Sequence, residues 1–345
     1  MIVIGLDVHK HSFTAVAVDE VGRMLDERTV PGGMGALIEW ASKLGRERLW
    51  AVEDCRQLTR TVERDLLAVG EELVRVPPKQ MAPERRTGRE RGKSDPIDAL
   101  AVARVAVRET RLSRPRPDEE IFRDMKLLVD HRDDLVDERR RMHCRLRWHL
   151  HQLDPSFAVG ARKLGRASHL ERVARWLAGQ PDVVQVRIAR ELVVRCRSMN
   201  KTIAELDREL EQRPQELAPA LLEVPGCGGL TAAKLLGEIG PIDRFDSDAQ
   251  LARHGGVAPL PASSGKVQRH RLDRGGNRQL NTALYRIDIT QARYHPAARI
   301  YLARKQAEGK SRREAIRCLK RTLARVVFNT LKTTSVTPES VSLLT

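Results

Sequence analysis

The first hundred residues alternate between short apolar runs and amphipathic segments. The runs IVIGLDV (2–8) and SFTAVAV (12–18) and a third extended stretch (23–30) predict a three-stranded meander. Amphipathic helices then alternate with two further strands, RLWAVE and ELVRV, up to a helix that begins near Asp95. The order β-β-β-α-β-α-β-α predicts an α/β ribonuclease-H-like domain over residues 1–112, with helices on the faces of a mixed sheet.

Two charged stretches beyond the predicted linker at 111–118 carry apolar residues at spacings of three, four and seven. The first stripe begins at Ile121 and the second at Leu192. They predict two long helices in a connector over residues 113–215. These helices can pair as an antiparallel hairpin or as a dimerising coiled coil, because either arrangement buries one stripe and leaves the charges outside. A plain helical spacer without oligomerisation is the alternative.

A second compact region, mainly helical, is expected over residues 216–332 and is followed by a tail at 333–345. A proline-containing connector at 211–219 leads into it. Its last helix is expected to run from Arg299 to Arg325, where ten basic residues face two acids. This composition indicates a surface that binds a nucleic-acid backbone, although a solvated helix face is the alternative.

The charge balance indicates a polyanionic partner. The chain has 62 Lys and Arg against 46 Asp and Glu, a formal charge of +16, which favours nucleic acid. Only 3% of residues are aromatic, so phosphate contacts should dominate over base stacking. The five scattered cysteines argue against a zinc site. No apolar run approaches the roughly 20 residues that span a bilayer, so we expect a cytoplasmic protein without a membrane partner.

Four carboxylates stand at the ends of predicted elements in the first domain. Asp7 lies near the end of the first strand, Glu53 ends the fourth, and Asp95 and Asp98 share a face of the last helix. Metal-assisted phosphoryl transfer uses such acids, because two divalent ions about 3.5–4 Å apart must be held. The alternative is that Asp95 and Asp98 only start a helix, as an N-cap and a capping-box acid.

The polar neighbours of these acids are assigned to other roles. Strand alternation sends Glu53 and Asp54 to opposite faces, so only one of them can join the cluster, and we prefer Glu53. His9, Lys10 and His11 are predicted to be turn residues rather than ligands.

Two motifs in the second region fit phosphate chemistry. VPGCGGLTAAKLLGEIG has the outline of a helix-hairpin-helix, in which Gly226, Gly228 and Thr231 would offer backbone N–H groups to a phosphate. Further on, Ser263 and Ser264 precede a cluster of cations that could stabilise attack of a serine on a phosphodiester, and a flexible basic loop is the alternative. The predicted nucleic-acid contacts in and after this cluster are Lys266, Arg269, Arg271, Arg274, Arg278, Arg312 and Arg313.

Taken together, GLDVHK, AVEDCR, KSDPIDALAVARVA, VPGCGGLTAAKLLGEIG and GGVAPLPASSGK followed by RGGNRQLNTALY resemble one family over nearly the whole chain. The resemblance is to the DEDD-type transposases and Piv-like site-specific DNA invertases of bacterial mobile elements. It implies a RuvC-like domain whose carboxylates bind Mg²⁺, a helical connector, and a transposase domain whose serine attacks DNA. One departure is that Asp-Cys-Arg follows the glutamate, where many relatives have Thr-Gly and an aromatic residue.

The resemblance also implies partners. These are the DNA of element ends and target, a second subunit in a dimer or tetramer that shares the active site, and in some relatives a structured guide RNA. Relatives place the attacking serine after a Gly-x-x-Pro turn and before glycine. Gly256 and Pro259 mark that turn here, which favours Ser264 followed by Gly265 and leaves Ser263 as the second choice.

Three other functions are compatible with parts of the sequence. A RuvC-like Holliday-junction or structure-specific endonuclease would use the carboxylates without a serine. A sugar-kinase-like ATP-binding protein shares the sheet order and a Gly-x-Asp strand, but the charge and the hairpin motif argue against it. A non-catalytic DNA-binding protein explains the charge and leaves the four acids unexplained.

Overall fold

The computed structural model describes residues 1–54, 56–78, 80–81, 94–110, 112–115, 119–157, 159–160, 163–262, 270–271, 273 and 275–333. The chain folds as two compact units, Met1–Glu119 and Glu120–Thr345. The finer division at residues 112, 215 and 332 stays a prediction. No helix in the described part of the chain is long and apolar enough to cross a membrane.

The first unit contains a five-stranded mixed sheet with the order β3-β2-β1-β4-β5. Strand β1 pairs antiparallel with β2 and parallel with β4, and β5 extends the parallel side. This confirms the predicted mixed α/β sheet. The strands and helices of the unit are β1 (Ile2–Val8), β2 (Ser12–Val18), β3 (Met24–Pro31), α1 (Gly35–Leu44), β4 (Arg48–Glu53), α2 (Arg56–Ala68), β5 (Glu72–Val76) and α3 (Asp95–Arg108).

Strand alternation separates two apolar layers. Ile4 and Leu6 of β1 pack in one cluster with residues of α1 and α2. Val3 packs in another with α3. Because successive side chains of a strand point to opposite faces, Asp7 lies on the α3 side, and so does Glu53, which shares its face with Ala51.

A buried ion pair fixes α2 to the edge of the sheet. Arg75 of β5 donates to Glu63 of α2 at 2.6 Å, and both side chains are buried. The Arg75 backbone N–H donates to the carbonyl of Ser113 at 2.8 Å, as an isolated antiparallel bridge. Part of the predicted linker at 111–118 is therefore paired with the sheet.

The second unit is mainly helical, as predicted. Its described α-helices and strands are α4 (Glu119–Leu153), α5 (Ala167–Ala178), α6 (Val184–Leu217), α7 (Gly229–Ile239), α8 (Asp248–His254), β6 (Leu260–Pro261), β7 (His270–Arg271), α9 (Arg278–Tyr294), α10 (Pro296–Ala307) and α11 (Arg312–Thr333), and two short 3-10 helices cover Pro219–Leu221 and Ile242–Arg244.

The two long helices α4 and α6 run antiparallel within one chain. Side-chain hydrogen bonds join them, among them Arg132 to Asp207 at 2.8 Å, Arg139 to Asn200 at 2.8 Å, and Gln185 to Gln152 at 2.8 Å. Residue numbers rise along α4 as those of their partners fall along α6. The chain thus contains the hairpin arrangement, and a dimerising coiled coil stays a prediction.

Three predicted element boundaries were wrong. The N-cap of α3 is Ser94 rather than Asp95, and Asp98 N–H donates to the Ser94 carbonyl at 3.1 Å. The predicted connector at 211–219 is helical as far as Leu217, because Pro214 is accommodated within α6. The expected helix from Arg299 to Arg325 is two helices, separated where Gly309 adopts a φ of +84°, a left-handed conformation that favours glycine.

Candidate active site and nucleic-acid interface

Asp7, His9 and Asp95 converge at the carboxyl end of β1. One ligand atom from each lies within 4.8 Å of the others. His9 Nε2 is 3.1 Å from Asp7 Oδ2 and 3.2 Å from Asp95 Oδ1. The end of β1, the turn that follows it and the first turn of α3 thereby bring two aspartates and an imidazole together, although Asp7 and Asp95 lie 88 positions apart in the chain.

The other two predicted acids border this group. Asp98 lies in the first turn of α3 with 7% of its surface exposed, and its charge acts on Asp7. Glu53 ends β4, one position after the Leu6–Val52 pairing of the parallel strands, on the same face of the sheet as Asp7. Among the described residues, the group whose ligand atoms all lie within 4.8 Å of one another includes neither Asp98 nor Glu53.

The electrostatics of the group favour a cation. Burial raises the pKa of the Asp7 carboxyl; His9 opposes this, and the carboxylates of Asp98 and Asp95 raise the pKa further. The Asp7 carboxylate in turn raises the pKa of His9, helped by Asp95. Several carboxylates in a partly buried site repel one another, and a bound cation relieves that repulsion. Carboxylate oxygens are also the ligands that hard divalent ions prefer, so the residues fit a metal.

His9 is the site residue that sequence reasoning missed. It was predicted to be a turn residue, and it does follow β1 directly, but it also contacts both aspartates. The signal in the sequence was its position two residues after Asp7, where a strand ends and a side chain can fold back over the strand end.

The predicted hairpin motif forms a turn anchored by α9. Gly226 has a φ of +84°, and Gln291 Nε2 donates to the Pro225 carbonyl at 2.7 Å. Gly228 is the N-cap of α7; it is exposed, and nothing lies within 4 Å of a Cβ added there. Thr231 is half-buried, and its N–H donates to the Gly228 carbonyl at 2.9 Å.

Ser263, Ser264, Lys266, Arg269 and Arg274 lie outside the described residues. The chain on either side of the serines is described. Strands β6 and β7 pair antiparallel, with Leu260 opposite Arg271 and Pro261 opposite His270. The segment that contains both serines therefore connects the two strands of a short hairpin.

A cleft of about 840 Å³ lies beside β7, between α10 and α11. Its lining includes the cations Arg271, Lys305, Lys310, Arg317, Lys320 and Arg321. Several of the cations in α10 and α11 already face acids: Asp248 pairs with Arg321 at 2.9 Å, and Glu308 pairs with Lys305 at 2.8 Å.

Three of the predicted DNA-contacting arginines are exposed at helix starts. Arg278 opens α9, and Arg312 and Arg313 open α11. Within the described part of the chain, no carboxylate lies within ion-pair distance of Arg312 or Arg313. Their charge is therefore available to a partner.

Clustered carboxylates in so basic a chain suit phosphodiester chemistry on DNA, in which acids can hold cations and arginines can hold phosphates. The fold and the site thus define a DNA-processing enzyme. A family of transposases of the DEDD type, named after IS110, matches residues 4–155, and the transposase family IS116/IS110/IS902 matches residues 218–303. The chain belongs to the IS110-type family of DEDD transposases, and DNA is accordingly its partner.

Individual relatives agree with this family. An uncharacterized 44.8 kDa protein of insertion element IS116 from Streptomyces clavuligerus is 26% identical across 95% of this chain and 94% of its own length. The transposase for insertion sequence element IS1111A of Coxiella burnetii is 24% identical across 82% of this chain and 75% of its own. An IS110 protein from Streptomyces coelicolor is 34% identical, but the match spans 45% of this chain and only 38% of that relative.

Proposed function

We propose that the protein cleaves and rejoins DNA at the ends of a mobile element with a serine nucleophile and a Mg²⁺-binding carboxylate site. The convergence of Asp7 and Asp95, whose ligand atoms lie within 4.8 Å, is the observation that carries the proposal. The first unit is proposed to be ribonuclease-H-like and RuvC-like. The sheet order β3-β2-β1-β4-β5, with an antiparallel meander extended by parallel strands, supports that fold.

Asp7, Glu53, Asp95 and Asp98 are the residues proposed to hold Mg²⁺. When bound, the ion offsets the negative charge that develops on the phosphate oxygens during cleavage. His9 is proposed to position the carboxylates of Asp7 and Asp95. Its contacts with Asp7 and Asp95 orient both carboxylates, and its charged form reduces their mutual repulsion before the ion binds.

Ser264 is the proposed nucleophile, with Ser263 as the second choice. Its hydroxyl oxygen bonds to phosphorus, the bond from phosphorus to the leaving sugar oxygen breaks, and the hydroxyl proton is passed to that oxygen through solvent. Lys266 and Arg269 would stabilise the non-bridging oxygens. The family resemblance supports the assignment, because Gly256 and Pro259 mark the Gly-x-x-Pro turn before the serine and Gly265 follows it.

DNA is proposed to be bound by the backbone N–H groups at the N-terminus of α7 together with basic side chains. The N-cap Gly228 is exposed, and among the described residues the N–H groups of Gly229 and Leu230 donate no backbone bond, as a phosphate-binding helix-hairpin-helix requires. Arg271, Arg278, Arg312 and Arg313 would neutralise neighbouring phosphates. These contacts go to the backbone, so they position the protein without reading sequence.

Assembly into a dimer or tetramer and guidance by a structured RNA are further parts of the proposal. Both rest on the family resemblance. The exposed arginines can bind RNA phosphates as well as DNA phosphates.

A covalent-adduct experiment tests the serine step. The protein is incubated with element-end DNA and Mg²⁺, denatured and separated on a gel. Ser264→Ala should bind DNA and form no adduct, whereas Ser263→Ala should retain at least part of it; the reverse pattern would assign the nucleophile to Ser263. Metal-dependent cleavage that survives when Ser263→Ala and Ser264→Ala are combined in one protein would instead support a RuvC-like junction endonuclease.

A further inference from the structure

The base of the serine hairpin is a close contact between two glycines. A Cβ added at Gly276 would stand 2.2 Å from the backbone nitrogen of Gly256, which itself has a φ of +62°. Asn277 N–H donates to the His254 carbonyl at 2.7 Å. The segment that enters β6 and the segment that leaves β7 are thus packed backbone to backbone. The orientation of the hairpin depends on how this base is held.

Asn281 of α9 holds the entering segment. Its Nδ2 donates to the carbonyls of Gly255 at 2.8 Å and Gly256 at 3.3 Å, and its Oδ1 accepts from Lys320 Nζ at 2.8 Å. A lysine ammonium can only donate and a carbonyl can only accept, so the two partners together allow one orientation of the amide. Lys320 therefore directs the donor of Asn281 onto the glycine turn.

Lys320 is a buried lysine, and a gain in the stability of the fold does not explain its burial. Only 7% of its surface is exposed, and the charged group it faces on α9 is Asp288, which is 0% exposed and whose carboxylate oxygens accept no hydrogen bond from the described residues. The ring centroid of Tyr285 lies 5.6 Å from Lys320 Nζ. Burying a lysine ammonium costs free energy unless its partners compensate for it, so the presence of Lys320 here calls for a reason other than stability.

We propose that Lys320 and Asn281 are positioning residues that fix the base of the β6–β7 hairpin, between whose two strands the proposed attacking serine lies in the chain. The inference rests on the proposed serine chemistry. Lys320 acts through Asn281, and Asn281 acts through the carbonyls of Gly255 and Gly256. Misplacement of a nucleophile by about 1 Å can slow a reaction on the order of 100-fold, so a rigid base has a large effect on rate.

Two substitutions separate this role from general stability. Asn281→Asp keeps an acceptor for Lys320 but replaces the N–H donor with an oxygen that repels the carbonyls of the turn. Lys320→Met removes the charge that orients the amide. In both, adduct formation at saturating DNA, measured below the melting temperature of each variant, should slow by about 10- to 100-fold while DNA affinity changes little. Hydrogen exchange of the amides of Gly256 and Val257 should become faster.

Lys332→Met is the matched control. Lys332 lies on the same helix and pairs with Asp243 at 2.7 Å, away from the hairpin, so this variant should form adduct at the normal rate. Normal adduct rates in folded Asn281→Asp and Lys320→Met would overturn the inference. If Asn281→Asp does not fold, Asn281→Ala decides by the same measure. An adduct that persists in the double serine variant would instead overturn the proposed serine chemistry.

Discussion

Gly5 and Ala99 are in direct backbone contact: a Cβ added at Gly5 would stand 2.1 Å from the Ala99 carbonyl oxygen and 2.5 Å from the Ala103 nitrogen. Strand β1 and helix α3 approach each other this closely because glycine and alanine face each other across the contact. Asp7 lies two residues beyond Gly5, and Asp95 lies one helical turn before Ala99. The contact therefore sets the distance between the two halves of the carboxylate site.

Gly5→Ala should displace α3 from β1 and separate Asp7 from Asp95. We expect a loss of about 1–3 kcal/mol in the free energy of unfolding, as for overpacked cores, and a larger relative loss of DNA cleavage. Urea unfolding and a cleavage assay on the same preparation measure both. Gly35→Ala, where a Cβ meets nothing within 4 Å, is the control and should leave cleavage unchanged without any loss of stability.

The choice between adjacent acids can be tested at the end of β4. Glu53→Gln should abolish Mg²⁺-dependent cleavage with little effect on the melting temperature, because Glu53 shares the face of Asp7 and α3. Asp54→Asn should cleave normally, since alternation turns Asp54 to the other face. Cleavage that depends on Asp54 rather than Glu53 would show that the side chain of Asp54, and not that of Glu53, faces Asp7 at the end of β4.

Salt dependence tests the exposed arginines of α11. Arg312→Ala and Arg313→Ala should each reduce the slope of log affinity against log salt by about 0.9 on duplex DNA, because each removes one phosphate contact. Arg325→Ala is the control on the same helix; its guanidinium already pairs with Asp248 at 3.0 Å, so the slope should change less. Slopes in Arg312→Ala and Arg313→Ala equal to that of the wild type would rule out phosphate contacts by these two residues.

The helix start at Gly228 can be probed by charge. Gly228→Glu places a carboxylate beside the N–H groups of α7, at a position with φ of −82° and open space, so the fold should tolerate it. DNA affinity should fall by about 0.3–1 kcal/mol or more, equally for all sequences. Gly228→Gln controls for size. Gly226 is a poorer test, because a Cβ there would lie 3.0 Å from Thr290 at a φ of +84°.

The buried Asp288 should make stability depend on pH. Burial raises its pKa to about 7 from the ordinary value of 3.8, with Lys320 opposing the shift. The folded state therefore binds a proton more tightly than the unfolded state, and stability should fall as pH rises from about 4 to 7, by at most roughly 1.4 kcal/mol per pH unit.

Asp288→Asn removes that titration, so its free energy of unfolding should vary less between pH 5 and pH 7 than that of the wild type. Urea unfolding at several pH values measures the difference. Asp182→Asn, at a carboxyl that is 71% exposed, should keep the wild-type profile. Parallel profiles for Asp288→Asn and wild type would mean that Asp288 does not titrate in this window.

Local stretches of sequence determined the strands of the first unit, the two long helices and the acids at element ends. Apolar periodicity reports which face of an element is buried, and a carboxylate at the end of a strand or the start of a helix is visible without any partner. The family could also be recognised from the sequence, because each of its motifs is a contiguous stretch. The net charge was sufficient to indicate a polyanionic partner.

Only the tertiary structure determined which residues from distant parts of the chain contact each other. His9 joins Asp95, and Lys320 reaches Asn281, through contacts between residues that are far apart in sequence, and no local pattern encodes such distances. The antiparallel pairing of α4 and α6 was one of two arrangements that bury the same stripes equally well. The continuation of α6 through Pro214 likewise depends on packing, because tertiary contacts can override the low helix propensity of proline.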